Sequence, residues 1–131
     1  MRLLLDTHIW LWLYLEPHKI TSEVQEVLTD PGIERFLSPI SVWEAIVLLE
    51  KRKIEIDKGF GEWFEDSRRD LELLEAPLDW KVVQEMRSIM MGYKDPGDRF
   101  IAATARAYDL TLVTSDARLL RIPALKTLPN V

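Results

Sequence analysis

Cysteine is absent from the sequence of 131 residues, and histidine occurs only twice, as His8 and His18. The absence of thiols excludes disulfides and thiolate catalysis, and it is typical of proteins that work in a reducing cytoplasm. With two His and no Cys, a zinc site that needs several of these ligands cannot be built. A bound metal would therefore need oxygen ligands, which favours Mg²⁺ or Mn²⁺.

Long apolar runs are also missing. The run Leu3–Leu5 is interrupted at Asp6, and the next run, Ile9–Leu15, ends at Glu16. Neither is long enough to span a bilayer, and no small-residue cleavage site follows. We therefore expect a soluble cytoplasmic protein with no membrane association.

Basic residues are not in excess, since the net charge is −5. This charge argues against broad electrostatic binding to nucleic acid, but it allows a local basic strip or a cation that reverses the sign locally. Hydrophobic residues make up 47% of the chain and include five Trp. This composition and length predict one compact domain over residues 1–131.

Segments typical of strands alternate with segments typical of helices, without a repeat or a linker. Strands are predicted at Leu3–Asp6, Arg35–Ile40, Glu72–Ala76, Thr111–Thr114 and Lys126–Leu128. Helices are predicted after Asp6 to about residue 15, and at 22–29, 41–53, 62–70, 79–90, 98–108 and 117–121. This order predicts an α/β fold in which a Rossmann-like parallel sheet of about five strands has helices on both faces.

Four acidic residues stand where a predicted strand ends or a predicted helix begins: Asp6, Glu44, Asp98 and Asp116. In a parallel α/β sheet these positions lie along one edge, where such folds bind ligands. Carboxylates gathered in a small volume repel one another unless protons or a cation offset their charge. The four positions therefore predict a site for a divalent metal that serves phosphate chemistry.

Each acid also has a purely structural interpretation as a helix cap. Ser41–Glu44 matches the capping box, in which a Glu bonds back to the residue that starts the helix. Asp95 before Pro96 is typical of a helix start, and Asp6 and Asp116 could each cap the helix that follows. The two interpretations are compatible, because a carboxylate at a helix N-terminus can cap and bind a metal at once. Unrelated caps would scatter over both edges of the sheet, so the shared edge favours a common site.

Four motifs follow one another along nearly the whole chain. They are Leu-Leu-Asp-Thr-His-Ile-Trp-Leu-Trp at 4–12, Ser-Val-Trp-Glu at 41–44, Asp-Pro-Gly-Asp-Arg-Phe-Ile-Ala-Ala-Thr-Ala at 95–105 and Leu-Val-Thr-Ser-Asp at 112–116. In this order and spacing the sequence resembles PIN-domain proteins, and among them the VapC-like toxins of type II toxin–antitoxin modules. The sequence departs from this pattern at Gly92–Lys94, where relatives often carry His-Arg, and this leaves the substrate preference open.

The resemblance implies an endoribonuclease that depends on Mg²⁺ or Mn²⁺ and is the toxin of a toxin–antitoxin pair. Its catalytic and metal-binding acids would be Asp6, Glu44, Asp98 and Asp116. Asp95 would be an accessory acid, and Thr114 would support the site. Water activated by the metal would cut RNA to leave 5′-phosphate and 3′-hydroxyl ends. Among the basic residues, Arg99 is predicted to orient a carboxylate, and Arg118 and Arg121 are candidates for contacting phosphate.

The run Ile9–Leu15 is apolar on all faces, so it predicts either simple burial or a surface for protein partners. One face of such a helix packs in the core, and the rest needs another surface to cover it. Trp10, Trp12 and Tyr14 are the predicted contacts. Together with the resemblance, this run predicts a homodimer that also binds a small antitoxin protein, which would block or perturb the acids.

Two other functions stay open. An aspartyl phosphotransferase or phosphatase would use Asp6 as its nucleophile, although His8 stands where a second acid would be expected. A non-catalytic PIN-like interaction module would use the surface at 10–15, although it would have no need of all four acids. Cleavage of RNA through its 2′-hydroxyl is not favoured, because two His are too few to supply paired acid–base groups.

Overall fold

The computed structural model describes residues 1–89 and 95–131. The strands of this part of the chain are β1 (Arg2–Leu5), β2 (Glu34–Leu37), β3 (Leu73–Glu75), β4 (Thr111–Thr114) and β5 (Thr127–Pro129). All neighbours in the sheet are parallel, in the order β3-β2-β1-β4-β5. The prediction of an α/β fold with a parallel sheet of about five strands is confirmed.

Helices connect the strands and cover the sheet. In the described residues they are α1 (Thr7–Leu15), α2 (Ser22–Leu28), α3 (Pro39–Glu50), α4 (Phe60–Asp70), α5 (Trp80–Glu85), α6 (Pro96–Ala107) and α7 (Ala117–Leu120), with 3₁₀ turns at Pro17–Lys19 and Met86–Ser88. The helix predicted at 79–90 is therefore shorter than expected, and residue 90 and most of the turn predicted at 91–97 lie outside the described residues. Within residues 1–89 and 95–131, no helix is long and apolar enough to cross a membrane.

The central strand β1 is buried on both faces of the sheet. Leu3 and Leu5 belong to the core on one side, and Leu4 belongs to the core on the other side. Successive side chains of a strand point to opposite faces, so one run of leucines supplies both cores. This explains why β1 appears in the sequence as an unbroken apolar run, as buried parallel strands do.

Trp10 lies inside the fold, so its predicted role in a partner surface is wrong. Its side chain is fully buried, and its ring centroid lies 5.4 Å from that of Trp63 on α4. Its Nε1 donates a hydrogen bond of 2.7 Å to the buried Ser67 hydroxyl. Trp12 and Tyr14 are only half-buried, so they can still contact a partner.

Helix α3 begins earlier than the predicted capping box. Ser38 is the cap, with its hydroxyl accepting a hydrogen bond of 3.0 Å from the Ile40 N–H, and Pro39 occupies the first helical position. Proline is well suited to that position because its missing N–H would have no helical partner there. Ser41 is buried inside the helix, so Glu44 does not cap α3 and the capping-box interpretation is wrong.

The prediction of aspartate caps at the other three helix starts is confirmed. Asp6 caps α1 (2.8 Å), Asp95 caps α6 (3.0 Å) and Asp116 caps α7 (2.8 Å), in each case through Oδ1 and a backbone N–H one or two residues further on. Each of these bonds occupies one carboxylate oxygen. Capping therefore leaves the second oxygen of each aspartate for another partner.

Candidate active site

The ends of β1 and β4 and the starts of α3 and α6 meet at one edge of the sheet, around a cleft of about 360 Å³. All four predicted acids and the accessory acid line this cleft: Asp6, Glu44, Asp95, Asp98 and Asp116. The other lining residues are Thr7, His8, Trp12, Ser115 and Arg118. The fold thus brings together acids that are up to 110 positions apart in the sequence.

Asp6 is held in place by the neighbouring strand. Its backbone N–H donates to the Val113 carbonyl (3.0 Å), which continues the pairing of β1 with β4. Its Oδ2 accepts a hydrogen bond of 2.7 Å from the Thr114 hydroxyl. Burial raises the pKa of Asp6, and the Thr114 hydrogen bond opposes that rise. The Thr114 hydroxyl thus holds one oxygen of the Asp6 carboxylate.

Glu44 is oriented by Thr7, a contact that the sequence analysis missed. The Thr7 hydroxyl donates a hydrogen bond of 2.6 Å to Glu44 Oε1. The signal in the sequence was a small hydroxyl residue directly after Asp6, the aspartate that follows β1. Burial raises the pKa of Glu44. Its other oxygen lies where a side chain at Gly97 would be, since a Cβ there would come within 2.9 Å of Oε2.

The surroundings of Asp98 also disfavour a negative charge. Its side chain is 13% exposed. Burial, followed by repulsion from Asp95, Asp6 and other acids of the cleft, raises its pKa from 3.8 to about 7. The Asp116 carboxylate is different, because the hydrogen bond from Arg118 lowers its pKa. The cleft thus holds five acids, and Arg118 is the lining residue that forms ion pairs with two of them.

Arg118 lies across two of the acids, and this arrangement was also missed. Its Nη2 is 3.0 Å from Asp116 Oδ2 and 3.4 Å from Asp98 Oδ2. The contact with Asp98 is the longer one, which explains why burial and repulsion still dominate the pKa of that residue. The position of Arg118 two residues after Asp116, in a helix of one turn, was the only signal in the sequence.

The predicted role of Arg99 in orienting a carboxylate is not borne out by its contacts. Arg99 does not line the cleft, and its Nη2 donates to the Met86 carbonyl (2.7 Å), which ties α6 to the second 3₁₀ turn. Arg118 makes the carboxylate contacts instead. Arg121 also lies outside the cleft lining, and its Nε donates to the Ala117 carbonyl of its own helix (3.1 Å).

The residues of the cleft fit a hard divalent cation. Carboxylate oxygens are the ligands that Mg²⁺ and Mn²⁺ prefer, and burial together with repulsion from the neighbouring acids raises the pKa of Asp98. Over residues 1–89 and 95–131, no three Asp, Glu, His or Cys side chains are already arranged as a metal-binding group.

Comparison with known proteins gives one family and several similar folds. The PIN domain model matches residues 3–125. A comparison with curated protein sequences gives no match. Similar solved structures include DNA-bound VapBC from Salmonella typhimurium (19% identity, 100% of this chain and 99% of that chain, TM-score 0.73). They also include VapBC2 from Rickettsia felis bound to a promoter DNA fragment (20% identity, 98% of this chain and 98% of that chain, TM-score 0.68). A toxin–antitoxin complex from Klebsiella pneumoniae is similar as well (20% identity, 98% of this chain and 97% of that chain, TM-score 0.64).

Proposed function

Because this chain belongs to the PIN-domain family, we propose that it is a metal-dependent endoribonuclease and the toxin of a toxin–antitoxin pair. The observation that carries the proposal is the acidic cleft, in which carboxylates from separate segments converge. A merely structural set of caps would not need the Glu44 carboxylate at this edge, since Glu44 caps no helix.

The acids of the cleft would hold Mg²⁺ or Mn²⁺: Asp6, Glu44, Asp98 and Asp116, with Asp95 as an accessory. A cation bound there would stabilise negative charge on the phosphate and lower the pKa of a water molecule. Two hydroxyl groups fix the carboxylates in advance, with Thr114 holding Asp6 and Thr7 holding Glu44. Such fixed positions matter because small displacements of reacting groups cost large factors in rate.

RNA binding is expected to depend on the cation. The chain has a net charge of −5, and the cleft concentrates part of that charge. A bound divalent ion would reverse the local sign and so allow a phosphate to approach. Beside the acids, His8 and Trp12 line the cleft with their ring centroids 5.7 Å apart. Aromatic rings in such a place offer stacking surfaces for the bases of single-stranded RNA.

A protein partner and a homodimer belong to the same proposal. The similar solved structures are complexes of toxins with antitoxins, which supports a small antitoxin as the partner. With Trp10 buried, Trp12 and Tyr14 are the residues of the predicted surface that a partner can reach. Light scattering of the purified chain at micromolar concentration is expected to give the mass of two copies. The mass of one copy would contradict the homodimer.

Asp6 is poorly placed for the alternative of an aspartyl phosphotransferase. Both of its carboxylate oxygens accept hydrogen bonds, one from the Thr7 N–H and one from the Thr114 hydroxyl. The residue is also only 7% exposed. The carboxylate is therefore less accessible than a nucleophile that attacks a phosphate needs to be.

The test compares cleavage of a labelled single-stranded RNA with Mg²⁺ and with EDTA. We expect cleavage with Mg²⁺ only, 5′-phosphate and 3′-hydroxyl ends, and large losses of activity in the variants Asp6→Asn, Glu44→Gln, Asp98→Asn and Asp116→Asn. Asp79→Asn is the matched control, because Asp79 caps α5 outside the cleft and Asn caps about as well as Asp. Cleavage in EDTA, 2′,3′-cyclic phosphate ends, or full activity in all four variants would contradict the proposal.

A further inference from the structure

The Arg118 side chain occupies the same carboxylates that the proposed metal needs. Its guanidinium contacts Asp98 Oδ2 (3.4 Å) and Asp116 Oδ2 (3.0 Å), and its Nε lies 3.3 Å from Asp116 Oδ1. A guanidinium and a divalent cation beside the same two oxygens repel each other and need the same space, although each carboxylate oxygen has a second lone pair. The guanidinium and a divalent cation at Asp98 and Asp116 therefore compete for the same oxygens.

The Arg118 side chain is half exposed, and its backbone bond at the start of α7 is separate from its side-chain contacts. The side chain is 49% exposed, so leaving Asp98 does not empty a packed space. The backbone N–H of Arg118 separately donates to Asp116 Oδ1 (2.8 Å), which keeps the start of α7 in place. The guanidinium can thus change partners while its helix stays where it is.

We infer that Arg118 is an exchangeable counter-ion, which pairs with Asp98 and Asp116 when no metal is bound and turns to the RNA phosphate when the metal takes those carboxylates. The inference rests on the proposed function and names a residue that contacts the substrate. An arginine suits this exchange, because its planar fork of donors fits carboxylates and phosphates equally well. Arg118 lines the cleft, so a guanidinium that leaves the carboxylates would stay beside a phosphate bound there.

The exchange predicts opposite effects on two ligands. Arg118→Gln removes the competitor, so Mn²⁺ binding without RNA is expected to become about twofold to fivefold tighter, as for the loss of partly exposed ion pairs. The same substitution removes a phosphate contact, so RNA binding is expected to weaken about tenfold. A purely structural role for Arg118 would weaken both or neither.

Arg121→Gln is the matched control. Arg121 follows α7 directly and carries the same charge, but its Nε bonds to the Ala117 carbonyl and it does not line the cleft. The control therefore measures the effect of losing one positive charge near the site. Arg118→Lys is the second variant, and it keeps the charge while losing the fork of donors.

The experiment uses the full chain and two measurements. Calorimetric titration with MnCl₂ gives the metal affinity, and fluorescence anisotropy of a short labelled single-stranded RNA, with Ca²⁺ in place of Mg²⁺ to prevent cleavage, gives the RNA affinity. We expect Arg118→Gln alone to gain affinity for Mn²⁺ and lose affinity for RNA, with Arg118→Lys between it and the native chain. Circular dichroism checks that each variant is folded.

The possible failures are distinguishable. If the native chain and Arg118→Gln bind Mn²⁺ equally well, or the variant binds it less well, Arg118 is not a competitor and this inference alone is wrong. Unchanged RNA affinity in Arg118→Gln would refute the phosphate contact. If no protein in the series binds Mn²⁺, the metal site of the proposed function fails, and the exchange fails with it.

Discussion

Replacing Asp98 by Asn is expected to stabilise the metal-free protein. Burial and the neighbouring acids raise the pKa of Asp98 from 3.8 to about 7, so at neutral pH the folded chain carries a charge that its surroundings disfavour. Asn keeps the shape of the side chain and removes that charge. The substitution gives up the contact with Arg118, but that contact is long and half exposed, so it contributes less than about 1 kcal/mol.

The size of the gain follows from the pKa. One pKa unit corresponds to 1.36 kcal/mol, so the shift sets a ceiling of about 4 kcal/mol. Water in the open cleft screens the repulsion, which reduces the expected gain to about 1–2 kcal/mol. For a chain of this size, that gain would raise Tm by roughly 3–8 °C.

The dependence on pH has a definite sign. The pKa of Asp98 is higher in the folded chain than in the unfolded chain, so the folded chain binds more protons between about pH 4 and 7. The native protein should therefore lose stability as the pH rises through this window. The Asn variant lacks this loss, so its advantage over the native protein is expected to be small near pH 4 and largest above pH 7.

The assay is thermal unfolding in EDTA, followed by circular dichroism across this pH range. Asp66→Asn on α4 is the control of opposite sign. Hydrogen bonds from Lys58 and Arg69 lower the pKa of Asp66, so its contribution to stability is present above about pH 4 and this variant should be less stable than the native chain there. If Asp98→Asn lowers Tm at neutral pH, or shifts it equally at all pH values, the acids of the cleft do not repel one another as argued.

Two further substitutions test the packing around the site. Gly97→Ala would place a Cβ 2.9 Å from Glu44 Oε2, and it is expected to slow cleavage about 10- to 100-fold with unchanged helix content. Gly61→Ala is the control and should keep full activity, because the space around its Cβ is open. Equal cleavage rates in the two variants would contradict the argument. Trp10→Phe removes the hydrogen bond to the buried Ser67 hydroxyl and should lower the free energy of unfolding by about 1–3 kcal/mol in urea. A change below about 0.5 kcal/mol would show that this bond contributes little.

The strands were predictable because their signal is local. The bounds of β4 agree with the prediction of Thr111–Thr114, and β1 differs by one residue at each end. The start of α3 was not predictable from the capping pattern, because two patterns compete there. Ser38 followed by Pro39 begins the helix before Ser41 can, and a pattern search that takes the capping box alone places the boundary three residues too late.

The acids of the cleft were predictable from chain order, because the carboxyl ends of parallel strands share an edge. The directions in which the side chains point were not predictable from the sequence. The contacts of Arg99 with Met86 and of Arg118 with Asp98 join residues 13 and 20 positions apart, and the residues next to each arginine do not encode them. Trp10 was misplaced for a related reason, since a helix that is apolar on all faces contains no signal for which face is inside.

The hydrogen bond between Thr114 and Asp6 also bears on when the cleft can form during synthesis of the chain. It joins residues 108 positions apart, and β1, which directly precedes Asp6, pairs with β4. The ribosome synthesises the N-terminal part first, so the central strand β1 can pair with β2 before β4 has been made. Contacts between such distant residues also form slowly. A nascent or prematurely terminated chain lacking β4 would carry Asp6, Glu44 and Asp98 without a finished cleft, so the cleft would form only after β4 has left the ribosome.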